Sequence, residues 1–197
     1  MFVTFEGLDG SGKTTQAELL AESLRHEGRD VVATREPGGT RLGEHVRSIL
    51  LDGEAMSPWA EAALFAAARA ELVDRVIAPA LAAGSDVVSD RYVDSSLAYQ
   101  GIARELGLDE VLELNLRATR GLLPDRTVLV LVDPEEALRR AHRADRIERE
   151  GIEFHRAVDD AYRTLAEMFP DRIVTVDGTL PADVIAEQIR GRLRDRS

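Results

Sequence analysis

Gly7-Leu8-Asp9-Gly10-Ser11-Gly12-Lys13-Thr14 fits the spacing G-x-x-x-x-G-K-[ST], and its residue types suit one task, cradling the phosphates of a nucleotide. The glycines let the backbone turn its N–H groups inward around a phosphate, and a following helix adds the positive end of its dipole. Lys13 offers a compact ammonium that reaches the β and γ oxygens, and Thr14 a hydroxyl that can bind Mg2+. Lys13 is the one lysine among the 25 Lys and Arg residues of the chain. A chance fit around a lone lysine has odds of roughly one in two thousand at this composition. A guanidinium is bulkier and planar, so arginine does not replace lysine in such a loop.

A phosphate loop of this kind must lie between a strand and a helix. Phe2–Glu6 reads as a strand and Lys13–Glu27 as a helix, which gives that order and places Thr15 in the first helical turn. Further strand-like runs at Asp30–Thr34, Asp86–Asp90, Thr127–Val132 and Arg172–Val176 alternate with helical patterns, which points to a parallel α/β sheet. One long helix is predicted from Ser57 to about Ala83, with a Ser cap, Pro58 at the first position and a bend at Pro79. Other helices are expected over Arg41–Leu51, Ser95–Gln100, Leu108–Arg120, Glu135–His142, Phe154–Met168 and Ala182–Arg194. In such a sheet, ligands gather at the carboxyl ends of the strands.

The 197 residues suit a single domain with a full core, and no Pro/Gly/Ser-rich linker divides them. The absence of cysteine excludes disulfides, thiolate metal sites and cysteine nucleophiles. No apolar run reaches the roughly 18 residues of a membrane span, and no apolar leader precedes Phe2, so a soluble cytoplasmic protein is expected. A formal net charge of −11 argues against binding a nucleic-acid polymer, which takes a basic face. Any phosphate must therefore be met by a local cluster of arginines.

The lone lysine narrows the nucleotide classes. An Asn-Lys-x-Asp guanine motif would need a second lysine, as would the partitioning ATPases, whose extra lysine falls where Leu8 or Asp9 stands. Large motor ATPases need a longer chain. A small-molecule kinase remains the leading reading. After the strand Asp86–Asp90 come Arg91 and Tyr92. An acid there can organise Mg2+ together with Thr14, and the adjacent arginine can bridge two reacting phosphates. An ordinary strand-end ion pair is the other reading of the same residues.

The chain resembles the thymidylate kinase family almost end to end. The resemblance rests on Phe5-Glu6-Gly7 through Thr14-Thr15-Gln16, on Thr34-Arg35-Glu36-Pro37-Gly38-Gly39-Thr40, and on Leu64-Phe65 with Arg69. It continues in Asp90-Arg91-Tyr92, Ser95-Ser96-Leu97-Ala98-Tyr99-Gln100-Gly101 and Asp145-Arg146-Ile147-Glu148. It implies a three-layer fold of the P-loop NTPase type, with a five-stranded parallel sheet of order 2-3-1-4-5. It also implies a homodimer formed through helix faces, and phosphorylation of dTMP to dTDP by ATP with Mg2+.

Carried across by position, the family pattern puts Asp9 on the dTMP sugar hydroxyl, Phe65 on the thymine face and Arg69 on its O4 carbonyl. Ser96 or Gln100 meets the base edge, and Tyr99 lies against the deoxyribose where a 2′-hydroxyl would crowd it. Glu36, Pro37 and Arg91 line the same substrate site. Arg47, one helix past Gly38-Gly39, is a candidate ligand of the dTMP phosphate. The locally basic run around residues 140–152 matches the family's lid. Because residues 8–11 hold no arginine, catalytic arginine is expected from that lid, at Arg140, Arg143 or Arg146. The expected chemistry is direct in-line transfer without a protein nucleophile, Lys13 and Arg91 sharing the charge. Another nucleoside-monophosphate or small-metabolite kinase is the runner-up, and a non-catalytic nucleotide switch the reading from another class.

Overall fold

The structure, a computed structural model, describes residues 1–141 and 145–194. Strands β1 (Phe2–Glu6), β2 (Val31–Arg35), β3 (Asp86–Asp90), β4 (Arg126–Leu131) and β5 (Ile173–Asp177) form one sheet in the order β2-β3-β1-β4-β5. Every pairing is parallel, which matches the expected topology. Side chains alternate across β1. Val3 and Phe5 pack with Leu20 and Leu24 of α1 (Lys13–His26) and with Ile185 and Ile189 of α9 (Ala182–Arg194). Phe2 faces the opposite layer together with Val87 and Leu129, against Leu72, Val111 and Leu165. These come from α3 (Pro58–Leu72), α6 (Leu108–Thr119) and α8 (Ile152–Met168), so helices cover both faces of the sheet.

The register sets the site. Phe5 lies beside Asp90, and Asp90 beside Arg35, so the carboxyl ends of β1, β2 and β3 stop level with one another. The chain then turns at Gly7 into the phosphate loop and, two strands across, at Glu36 into a cis Glu36-Pro37 peptide.

The long helix predicted from Ser57 departs from expectation. Ser57 caps it, accepting from Ala60 N, but the α-helix gives way to a π-helical turn over Val73–Ile77 before α4 (Ala78–Ala82). Pro79 lacks an N–H and its ring crowds the carbonyl four residues earlier, and the wider turn just before it leaves room for both. The predicted Ser95–Gln100 helix is likewise α5 (Val93–Ser96) followed by a π-helix over Leu97–Ala103. Helix α7 (Pro134–Arg140) stops before His142, which lies outside the described residues, as does Arg143. Beyond it, Asp145 closes a turn by accepting from Ile147 N and Glu148 N at 2.8 and 2.9 Å. Arg146 N donates to Leu51 O at 2.9 Å, stitching this turn to the end of α2 (Arg41–Asp52). Among the described residues no helix is long and apolar enough to cross a membrane.

Candidate active site

The phosphate loop depends on two close backbone approaches. A Cβ on Gly7 (φ +138) would sit 2.5 Å from Val130 O, and one on Gly10 (φ +82) 2.1 Å from Ala137 O. Neither position admits another residue without moving β4 or α7. Lys13, the first residue of α1, is buried, and its Nζ donates to Asp9 Oδ1 at 2.5 Å and to Leu8 O at 3.4 Å. Thr14 and Thr15 follow on the exposed side of the same turn.

Next to the loop lies a cleft lined by Asp9, Glu36, Pro37, Arg47, Phe65 and Arg91, with Ser96, Tyr99 and Gln100. The structure brings these sequence candidates into one concavity. Helical spacing explains part of it. Ser96 at the end of α5 and Tyr99 and Gln100 in the π-helix, spaced i, i+3 and i+4, line a single wall. Arg47 Nη1 donates to Pro37 O at 2.9 Å, which holds the guanidinium at the rim. Burial and the nearby Arg35 press its pKa down.

Arg91 is the electrostatic centre. Its φ of +72 is rare for a residue with a side chain, and it is held by Arg91 N to Phe5 O at 2.9 Å and Ser89 Oγ to Arg91 O at 2.8 Å. The guanidinium donates to Asp9 Oδ1 at 2.7 Å, to Ser95 Oγ at 3.0 Å and to Tyr162 Oη at 3.3 Å, and lies 5.4 Å from the centre of the Tyr99 ring. Asp9 therefore touches both Lys13 and Arg91. Against the cost of desolvating it, these two cations hold its carboxyl far below the ordinary range.

Beneath Arg91, Glu6 accepts from Tyr92 N (2.8 Å), Ser95 N (3.2 Å), Ser95 Oγ (2.5 Å) and Tyr162 Oη (2.9 Å). Burial and the neighbouring Asp94 push its carboxyl up to about 7, against the pull of Arg91. A raised carboxyl binds more protons in the folded than in the unfolded state between its two values. Its contribution to stability is thus largest below about 4.5 and is lost as pH rises through 7. We expect the stability advantage of the wild type over Glu6→Gln to shrink by about 3 kcal/mol between pH 4.5 and pH 8. Urea unfolding across that range measures it, and a difference that stays level would place the ordinary carboxylate value at Glu6.

Other candidates lie outside the cleft lining. Arg69, expected at the base edge, is 1% exposed and turned into the protein. Its Nε meets Glu36 Oε2 at 2.7 Å, Nη1 meets Ser96 Oγ at 2.9 Å and Asn115 Oδ1, and Nη2 meets Tyr92 O at 2.9 Å. Arg140 donates to Glu136 Oε1 at 2.7 Å and to Gly178 O at 3.0 Å, beside the end of β5. Arg146 is taken up by Glu61 Oε2 at 2.6 Å and Leu50 O at 2.8 Å. Thr14 Oγ1 donates to Asp90 Oδ2 at 2.5 Å, while Asp90 Oδ1 is buried without a partner. The cleft also contains Leu51, which the sequence did not single out, and Ser95, Asp145, Ile147 and Glu148, which stood in the quoted motifs without an assigned role. Tyr162 belongs here too. Nothing in its helix marked it, whereas Glu6 and Ser95 stood inside motifs already quoted.

A five-stranded parallel sheet of this order, a glycine-rich loop capping α1 around a buried lysine, and an arginine-bearing cleft across the strand ends define a P-loop nucleotide kinase. The thymidylate kinase family model matches residues 5–189. The chain is 51% identical over 180 residues to a thymidylate kinase of Caldanaerobacter subterraneus, covering 90% of this chain and 86% of that one. It is 47% identical over 197 residues to one from Clavibacter sepedonicus, covering 98% and 93%. A crystal structure of thymidylate kinase from Ehrlichia chaffeensis superposes with a TM-score of 0.83 at 33% identity, covering 98% of both chains. The chain belongs to the thymidylate kinase family.

Proposed function

We propose that this enzyme transfers the γ-phosphoryl group of ATP directly to the phosphate of dTMP, with Mg2+, as a cytoplasmic homodimer. One observation carries the reading. Asp9 belongs to the phosphate loop and also lines the cleft, bonding Lys13 at 2.5 Å and Arg91 at 2.7 Å, so donor and acceptor sites meet at this carboxylate.

ATP phosphates take the loop N–H groups and Lys13, with Gly7 to Thr15 as their cradle. In the cleft, Phe65 supplies a flat apolar face for thymine, Tyr99 packs on the deoxyribose, Arg47 meets the dTMP phosphate, and Asp9 accepts from the sugar hydroxyl. The acceptor oxygen is already anionic, so the protein aligns two polyanions and spreads their charge over Lys13 and Arg91. A lid spanning about 140–152 closes over ATP and excludes water, bringing Arg140 or Arg143 to the transferring group. Arg146 takes another part, because Glu61 and Leu50 O occupy its guanidinium.

The residues present suit Mg2+. Thr14 Oγ1 and the unpartnered Asp90 Oδ1 are hard oxygens at the mouth of the loop. Among the described residues no three carboxylates or histidines gather into a cage, and Mg2+ with a nucleotide takes one or two protein oxygens beside phosphate and water. When bound, the ion neutralises charge on the β- and γ-phosphates. The dimer reading rests on the exposed Leu42 and Ile49, two turns apart on α2, and the exposed Trp59 on α3.

A coupled ADP assay with dTMP, dUMP, UMP, dCMP, AMP and shikimate tests the assignment. dTMP is expected to exceed every other acceptor in kcat/KM by about tenfold or more. Faster turnover of another monophosphate would move the enzyme to a different kinase, and ADP release indifferent to acceptor would make it a nucleotide switch.

A further inference from the structure

Glu61 is buried in the first turns of α3, and three polar side chains from distant segments converge on it. Gln100 Nε2 donates to Oε1 at 2.8 Å, and Arg146 Nη2 to Oε2 at 2.6 Å. Arg104 approaches both oxygens at 3.4–3.5 Å and continues to Glu150 at 2.7 Å. None of these links is needed for the phosphate chemistry, yet together they join the base end of the cleft to the turn that follows α7.

We propose that Glu61 is a positioning residue that fixes which end of the Gln100 amide faces the cleft, and that through Arg146 it makes this reading depend on the seating of residues 145–150. A carboxylate only accepts hydrogen bonds, so the Gln100 edge beside it has to be the NH2. The carbonyl oxygen is left for the cleft, which Gln100 lines. A carbonyl there accepts from a ring N–H. Thymine and uracil present such a donor at N3, whereas cytosine presents an acceptor at the same atom and would face the oxygen lone pair to lone pair. Discrimination against the amino-pyrimidine is thus set one residue behind the base. Mispairing buried polar groups is the strong form of rejection, larger than anything methyl contacts provide. The second half follows from the shared carboxylate. Arg146 donates to Leu50 O at 2.8 Å and its own N–H to Leu51 O at 2.9 Å, so the turn, α2, Glu61 and Gln100 form one connected set.

The inference rests on thymine occupying the cleft beside Phe65 and Gln100. Its test is kcat/KM for dTMP, dUMP and dCMP in the wild type, Glu61→Gln, Arg146→Met and Gln100→Met. In Glu61→Gln the new amide accepts either edge of Gln100, which is free to turn over. The dTMP/dCMP ratio is expected to fall about tenfold or more. The dTMP/dUMP ratio should hold, because those two bases share the N3–H. Arg146→Met, which frees Glu61 from the turn at 145–150, is expected to lower the dTMP/dCMP ratio in the same direction but by less than Glu61→Gln, and an unchanged ratio there overturns the coupling to the turn. A purely structural role for Glu61 would move all three substrates alike. An unchanged dTMP/dCMP ratio in folded Glu61→Gln overturns the proposal. Should that variant not fold, Gln100→Met, which leaves the Glu61 ion pairs in place, must lose the same selectivity, and retention of it overturns the proposal. If Gln100→Met and Phe65→Ala both leave KM for dTMP unmoved, the base lies elsewhere and the cleft assignment falls as well.

Discussion

Lys13→Met is expected to lower kcat for dTMP phosphorylation by about a thousandfold or more, with KM for ATP raised as well. The ammonium is the one cation placed inside the phosphate loop, and its neighbours Gly7 and Gly10 press against β4 and α7 so closely that no other side chain can move in. Lys13→Arg should recover little, since a planar guanidinium needs width that a buried site at the start of α1 lacks. The single lysine allows a second readout. An amine-reactive label can attach only at Lys13 and the α-amino group, and saturating MgATP should protect the former while dTMP alone protects it less. A Lys13→Met enzyme retaining a tenth of wild-type kcat, or lysine labelling that MgATP leaves unchanged, would remove Lys13 from the reaction.

The largest expected effect on stability belongs to Arg69→Met. Arg69 and Glu36 are both buried, and Arg69 also holds Ser96, Asn115 and Tyr92 O, so the substitution strands a carboxylate and three further polar atoms. Removing one partner of such a pair costs about 3–5 kcal/mol. Burial already raises the Glu36 carboxyl, with Arg69 pulling it back down. Without that cation it rises further and binds a proton at higher pH. The deficit against the wild type is therefore expected to be smallest in mild acid and to grow as pH increases through the new Glu36 value. Thermal melts at pH 5 and pH 8 measure this. Arg69→Lys keeps the charge but not the fork, and should recover only part of the loss. A deficit below about 1 kcal/mol at pH 8 would mean that the pair contributes no net stability.

What could be read in advance was whatever local pattern encodes. The loop from Gly7 to Thr14 is contiguous, and its glycines, lysine and threonine announce their task through spacing. The strands are short apolar runs between helical patterns, so a parallel α/β sheet followed from alternation, while the strand order came from the family resemblance. The π-turns at Val73–Ile77 and Leu97–Ala103 were hidden, because a π-turn differs from an α-turn by one hydrogen-bond step and leaves no composition behind. Arg69 shows a second limit. Its motif placed it near the base, but Asn115 and Glu36, which turn it inward, lie 46 and 33 residues away. Glu61, Arg104 and Tyr162 were invisible for the same reason: each becomes informative only when distant segments meet.

The shared contact at Asp9 makes the resting enzyme its own competitor. Lys13 and Arg91 already share one tethered internal anion, so part of their charge is answered before any ligand arrives. A phosphate that draws on both cations at once does so in competition with that carboxylate.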